Sequence, residues 1–256
     1  MKVVVCVKAV PGFVTKVQVA ETQDRVNYES GSIIMNESDE YALEAALAFK
    51  KEFGGEISVI TAGPLASQPV LHTGLAKGAD SAMRVDADFT DCERISMVLA
   101  EAIRSTSYDL ILTGVESSDN MAAQVGISIA VRLGLPFAYA VTKVELGPSS
   151  EIVKVTKEVG GGVEQVLEIP LPALLCIQSG VRSLSYTSVR KLFQARQKQI
   201  ECFTPDDLSI DEELGKVKAA SIMNVFPAGR ARRAEIIEGK PSEVAPVLIK
   251  KVKEAL

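Results

Sequence analysis

Several ingredients are scarce in this 256-residue chain, and each scarcity removes a class of function. No apolar run reaches the ~18 residues that a membrane-crossing helix needs. The four cysteines, Cys6, Cys92, Cys176 and Cys202, lie far apart with no C-x-x-C pair, which argues against disulfide staples and zinc sites. There is one histidine, His72, within "VLHTGLAKGA". A lone histidine on a helix is ordinarily a surface or packing residue, and without a second neither a His-rich metal centre nor a spare base for a nucleophile triad is available. Positive charge is in deficit: 28 Lys and Arg against 33 Asp and Glu leave a net charge of −5. No global basic field points to nucleic acid. A secretory leader is not evident either, because "MKVVVCVKAV" runs on into "KAVPGF" without a small-residue cleavage site and reads as a first strand. The expectation is a cytoplasmic protein of bacterial type, with no metal site and no catalytic side chains of its own. Its chemistry must come from something bound.

What is present is an α/β pattern. Hydrophobic residues make up 47% and charged residues 24%, the profile of a chain with ample core. After the strand Val3–Lys8 comes an irregular stretch with an expected hairpin of "KVQVA" and "RVNYE". A helix is expected after Ser38 as N-cap, with Ala42, Ala45, Ala46, Phe49 and Phe53 on its apolar face and Gly54-Gly55 at its end. The strand "EISVITAG", the helix "SQPVLHTGLAKGA", the strand "SAMRVD", a helix from Asp91 to Arg104 and the strand "YDLILTG" follow in alternation. Such alternation of apolar strands and helices predicts a mostly parallel, doubly wound sheet covered on both faces. From Pro136 four strand candidates come in succession, "AYAVTKVEL", "IVKVTKEV", "VEQVLEI" and "ALLCIQ", with a turn at Gly160–Gly162. They are expected to extend the same sheet with antiparallel partners. The division expected is a nucleotide-binding domain over 1–201, containing a basic segment 181–200, and a C-terminal arm over 202–256 that packs on a partner.

In such sheets ligands bind beyond the C-terminal ends of the strands, so the loops after Lys8, Ala62 and Gly114 matter most. The last reads "GVESSDNMAAQVG" and leads into an apolar helix, "QVGISIAVRLG", expected to expose little surface. A strand-to-helix loop of this kind presents unpaired N–H groups and the positive end of the helix dipole, where phosphate binds readily. Ser117, Ser118 and Asn120 add polar partners, and Gly126 and the alanines allow close approach. The loop lacks both the G-x-x-x-x-G-K-S/T lysine loop and the G-x-G-x-x-G fingerprint. The reading is a nucleotide that is held and not hydrolysed; on the loop alone, a polar turn with a helix cap stands level with it.

Five stretches resemble the beta, or small, subunits of the electron-transfer flavoproteins over nearly the whole chain: "VVVCVKAVPGF", "IIMNESDEYALEAAL", "TAGPLASQPVLHTGLAKGAD", "GVESSDNMAAQVGISIAVRLGLP" and "SYTSVRKLFQARQKQIE". The resemblance implies an electron carrier, not an enzyme, that pairs as a heterodimer with an alpha subunit holding FAD. It implies a structural AMP in this subunit, a flavin-containing dehydrogenase as donor, and a quinone reductase or other acceptor. Carried over residue by residue, it places AMP against Cys6 and Val7 and beside Asn36, Asp39, Ala62, Ser117, Asp119 and Asn120. The phosphate falls at Ala123, Gln124, Val125 and Gly126. Many relatives carry hydroxyl or amide side chains where this chain has Ala122, Ala123 and Val125, so phosphate contacts there would be main-chain. Phe13 matches an aromatic residue near the partner's flavin. Val189 matches an apolar anchor on the loop that docks into the dehydrogenase, with Tyr186 beside it, and Glu158 matches an acid near the mobile flavin domain. The motif N-x-P-R-Y of relatives reads "RSLSY" here, with Ser185 in place of the arginine. Two alternatives stay open: a bifurcating relative with FAD in place of AMP, and a nucleotide-sensing α/β protein.

Overall fold

The valine run near the start of the chain forms strand β1 (Lys2–Cys6), and its side chains alternate between two cores. Val3 and Val5 enter one hydrophobic cluster and Val4 and Cys6 the other, as the two-residue period of a strand requires. The structure is a computed structural model that describes residues 1–12, 17–21, 26–28, 33–146, 151–217, 224–226 and 235–255. After β1 come four short strands, β2 (Ala9–Pro11), β3 (Val17–Val19), β4 (Val26–Tyr28) and β5 (Ile33–Met35), and helix α1 (Glu37–Phe53). Next are β6 (Glu56–Ala62), α2 (Gln68–Lys77), β7 (Ser81–Val85), α3 (Cys92–Arg104), β8 (Leu110–Gly114) and α4 (Val125–Leu133). Strands β9 (Phe137–Leu146), β10 (Ile152–Glu158), β11 (Glu164–Pro170) and β12 (Ala173–Ile177) follow without an intervening helix. The chain continues through α5 (Val189–Ala195), β13 (Glu201–Phe203), α6 (Asp211–Lys216) and α7 (Pro241–Ala255).

Nine of these strands form one sheet in the order β11-β10-β9-β12-β8-β1-β6-β7-β13, while β2 pairs with β5 and β3 with β4. The seven strands from β9 to β13 in that order are parallel neighbours. The fold is the doubly wound α/β sheet expected, with residues of α1, α2 and α5 in the cluster on one face and of α3, α4 and α6 in that on the other. The chain moves from β1 outward through β6 and β7, then returns to β8 on the other side of β1. That reversal opens a crevice between the C-terminal ends of β1 and β8.

Three differences from the expectation have physical causes. Of the four late strands, only the β9–β10 and β10–β11 pairs are antiparallel. β12 returns between β8 and β9 and runs parallel to both. All five residues of "ALLCI" are buried, and a strand with no polar alternation belongs in the middle of a sheet. Burying Leu174, Leu175 and Ile177 stabilises this position by about 1.5–3 kcal/mol each. The N-cap of α1 is Asn36 and not Ser38, which lies in the first turn; the acids Glu37, Asp39 and Glu40 at its start and Lys50 and Lys51 at its end suit the dipole. Helix α4 buries only Ile129 and Ala130, and Val131 is 67% exposed. The turn between β10 and β11 is as expected: Gly160, Gly161 and Gly162 have φ of 87°, 63° and 75°, values that glycine adopts without a Cβ penalty.

The chain divides into two compact units, residues 1–17 with 28–221 and residues 18–27 with 222–256. The first unit runs past Glu201 because β13 pairs with β7 and because Ile210 and Leu214 are buried in its core. The second contains α7, which starts at Pro241, a residue suited to a first helical turn, and which carries a Lys251–Glu235 ion pair at 2.7 Å. No helix among the described residues is long and apolar enough to cross a membrane.

Candidate functional site

The crevice between β1 and β8 is built around one buried carboxylate. Asp39, in the first turn of α1, accepts the Lys8 N–H on Oδ2 at 2.8 Å and the Gly114 N–H on Oδ1 at 2.9 Å. It thereby joins the ends of the two strands that diverge there. Gly114 leaves the room for it: a Cβ at that position would stand 2.2 Å from Ser38 Oγ and 2.3 Å from Asp39 Oδ1. Burial raises the Asp39 pKa to about 7, against the two N–H donors, which favour the anion.

Asn36 and Ser38 hold the loop that follows β8. The Asn36 amide donates to the Glu116 carbonyl at 2.8 Å and to Ser38 Oγ at 2.9 Å, and its Oδ1 accepts from Ser118 N–H at 3.1 Å. Ser38 Oγ donates to the same Glu116 carbonyl at 2.6 Å. A polar residue at a helix N-cap commonly caps its own helix; Asn36 makes no such bond and spends its amide on the loop.

A lysine reaches this loop after all, from the end of β1. Lys8 Nζ lies 2.7 Å from each oxygen of Asp119 and donates to Ser117 Oγ at 3.1 Å. Burial alone would raise the Asp119 pKa, but the ammonium and the Ser117 hydroxyl hold the carboxyl below its ordinary value. The pair is partly exposed, so it contributes on the order of 0.2–1 kcal/mol. Its effect is geometric, since it ties the loop across the crevice. Within the loop, Ser117 Oγ donates to Asn120 Oδ1 at 2.8 Å and Met121 N–H to the Ser117 carbonyl at 2.9 Å. Met121 and Ala123 have φ of 49° and 54°, a left-handed conformation that costs a non-glycine residue on the order of 1 kcal/mol or more. The chain then enters α4, whose first-turn N–H groups have no carbonyl one turn earlier to pair with. Gly126 brings that turn onto the sheet, because a Cβ there would stand 2.5 Å from Thr113 Oγ1 and 2.7 Å from Cys176 Sγ.

Cys6, Val7, Asn36, Asp39, Ala62, Ser117, Asp119, Asn120 and the run Ala123–Gly126 are thus gathered at the C-terminal end of one sheet. Asn36 holds the loop, and Asp39 holds the two strand ends that border it. Burial raises the Cys6 and Cys176 thiols, the latter to about 11 despite the Thr113 hydrogen bond. Both therefore stay protonated and pack as small apolar side chains. Phe13 lies outside the described residues. Glu158 sits in a different place: the row Lys157, Val141, Ile177 and Gly114 crosses the sheet. That puts Glu158 three strands from the loop, about 14 Å at ordinary strand spacing. Tyr186 is on the segment leading into α5 and Val189 is the first residue of that helix, 87% and 70% exposed.

Lys8, Ser38 and the Glu116 carbonyl were absent from the sequence-based site. A charged residue closing an otherwise apolar strand was the available signal for Lys8. Nothing in the sequence marks a backbone carbonyl.

Residues 26–208 match the family model described as "Electron transfer flavoprotein domain". The chain is 33% identical to an electron transfer flavoprotein subunit beta of Clostridium acetobutylicum, with 99% of this chain and 98% of that protein covered. It is 32% identical to the protein of the same description in Methylophilus methylotrophus, over 99% and 98% of the two chains. With that of Bacillus subtilis the identity is 31%, over 93% and 95%.

Proposed function

Since the chain belongs to the electron transfer flavoprotein family, among relatives named as its beta subunits, we propose that it is the small subunit of a heterodimeric electron carrier with a structural AMP of its own. Electrons would arrive from a flavin-containing dehydrogenase and leave to a quinone reductase or another acceptor, in the cytoplasm. FAD, held mainly by the alpha subunit, supplies the redox chemistry when bound, and the protein places it and tunes it.

The observation that carries the AMP reading is the crevice between β1 and β8. Its mouth is crossed by the Lys8–Asp119 pair, and its far side is the start of α4. A single phosphate is the ligand we assign to that place, because Ala123, Gln124 and Val125 stand at the entry of α4, where the first N–H groups lack intrahelical partners and bind anions readily. Lys8, the cation that reaches this loop, is engaged by Asp119, so it is not poised on a β/γ-phosphate as a triphosphate would want. Cys6, Val7 and Ala62, at the ends of β1 and β6, offer a small, main-chain-rich wall for a flat base. Asn36 acts by fixing the loop, and Asp39 by fixing the two strand ends that border it. Phe13 is proposed to lie near the partner's flavin, Glu158 near its mobile flavin domain, and Tyr186 and Val189 on the dehydrogenase-docking surface.

The test is acid release of nucleotides from the purified heterodimer, followed by chromatography. One AMP per copy of this chain is expected, and Asp119→Ala should lower that occupancy together with thermal stability, because a ligand bound only to the folded state stabilises it. A second FAD in amount equal to this subunit would replace the AMP reading with the bifurcating one. Full AMP occupancy and an unaltered melting temperature in Asp119→Ala would remove Asp119 from the site.

A further inference from the structure

The segment from residue 178 to 188 carries no helix or strand. Gln178 N–H donates to the Val141 carbonyl at 2.9 Å and Val181 packs on the core near its start, and farther along it is held by side chains at Ser185. Ser185 donates its N–H to Glu44 Oε1 at 2.9 Å and its hydroxyl to the same oxygen at 2.6 Å. Its carbonyl accepts from Lys77 Nζ at 3.0 Å. Every polar group of Ser185 is therefore used by two side chains from α1 and α2. Lys77 completes the cluster: Nζ is 2.7 Å from Glu44 Oε1 and 2.7 Å from Glu40 Oε1. With Ser185 O this makes three acceptors for three ammonium protons. The Lys77 side chain is 2% exposed, and Glu44 is buried.

Burial works against both charges. The Lys77 and Ser185 donors nevertheless hold the Glu44 carboxyl below the usual carboxylate range, and the two glutamates hold the Lys77 ammonium above the ordinary lysine value. A buried, fully satisfied ion pair is weak evidence for a gain in stability over an apolar pair, and fixing one geometry is the better-attested use. The neighbouring hydroxyl, on Thr187, is buried with no hydrogen-bond partner among the described residues, so it ties nothing. Around the tie the chain exposes large apolar side chains: Leu184, Tyr186, Val189 and Phe193. Exposed apolar groups on irregular backbone bind a partner at an ordering cost, and a segment already held in one conformation avoids most of it.

We propose that Glu44 and Lys77 are positioning residues that fix the segment through Ser185 and so present Tyr186, Val189 and Phe193 as a preformed docking surface for the donor dehydrogenase. This rests on the docking reading above, and none of the cluster's residues is among those proposed to hold the nucleotide.

The test uses the heterodimer with two soluble donors, an acyl-CoA dehydrogenase and a methylamine-type flavin dehydrogenase. Amide hydrogen exchange across residues 181–188 reports the tie directly. Glu44→Gln and Ser185→Ala should speed that exchange at least tenfold. They should also raise the KM for the donor at least fivefold while the saturating rate and reduction by dithionite change less than twofold. Lys77→Arg, which keeps a cation in the pocket, should retain more of both properties than Lys77→Met. Thr187→Val should change neither. If Glu44→Gln fails to fold, Ser185→Ala carries the test, since Ser185 lies outside the core. Unchanged exchange in the variants overturns the anchor, and faster exchange with an unchanged KM overturns its link to docking. Failure of both donors to reduce the wild-type heterodimer overturns the docking reading, and this proposal with it.

Discussion

Asp39 concentrates the electrostatics of the crevice in one side chain. Its pKa of about 7 in the folded protein stands above the ordinary value of 3.8. Between those values the native state keeps a proton that the unfolded chain has released. The contribution of this group to stability is therefore full below about pH 4, falls as pH rises towards 7, and is level above that. Asp39→Asn cannot ionise, and one of the two N–H donors from Lys8 and Gly114 would face its amide nitrogen. The variant should be less stable than the wild type at pH 4.5, with the deficit shrinking steadily to pH 7.5. Urea unfolding at four pH values would show this, and a constant deficit would mean that Asp39 titrates elsewhere. Val189 makes a contrasting case. It opens α5 at 70% exposure behind the Ser188 cap, so Val189→Glu should leave folding and the proposed AMP and FAD content intact. Stopped-flow reduction by the cognate dehydrogenase should slow at least tenfold, about 1.4 kcal/mol, whereas dithionite reduction stays normal. Normal transfer would take Val189 off the docking surface. At this scale the sequence was legible where a residue's contacts are local, as for Asp91, which caps the helix it precedes. It was not legible for Lys8 and Ser38, whose partners lie 78 to 111 positions away.

Single elements were easier to read, because a period and its end signals are local. Helix α3 is the clearest instance. Asp91 caps it by accepting Arg94 N–H at 2.8 Å, and its other oxygen takes Arg94 Nε at 2.7 Å; that guanidinium lies 4.9 Å from the Phe89 ring centre. Asp91→Ala should cost about 1–2 kcal/mol, a fall of roughly 2–8 °C in melting temperature for a chain of this size. Asp91→Asn keeps the cap acceptor and should lose less; equal losses would show that the Arg94 pair, not the cap, carries the effect. The amphipathic pattern of this helix, with Val98, Leu99 and Ala102 buried, is visible in the sequence. Helix α4 misled for a related reason: apolar composition signals burial without saying by what. Val131 is apolar, yet within this chain it faces outward.

At the scale of the molecule, strand direction and strand neighbourhood were the weakest part of the reading. Four strands in succession look like a meander, and three of them are one. The fourth, β12, is distinguished by unbroken burial and belongs between β8 and β9. A chain ended after Pro172 would leave Leu110–Leu112 of β8 and Ala138 and Val141 of β9 without the strand that pairs and covers them. It should be insoluble on expression. A chain ended after Val217 keeps all nine strands of the sheet and should stay soluble with a cooperative thermal transition seen by circular dichroism. A soluble, cooperatively melting product ending at Pro172 would show that β12 is dispensable.

The same placement of β12 sets a schedule for a chain growing on the ribosome. β8 and β9 leave the ribosome with their facing edges unmatched, and β10 and β11 must be made before the strand that joins them arrives. From Leu146 to Ile177 this delay lasts roughly 2–6 s at ordinary rates of synthesis. Throughout it, two apolar strand edges await the same late-arriving partner. Growing chains crowded on one message could pair those edges with each other, so a holdase that shields them during this interval should raise the yield of native subunit more than one acting after release.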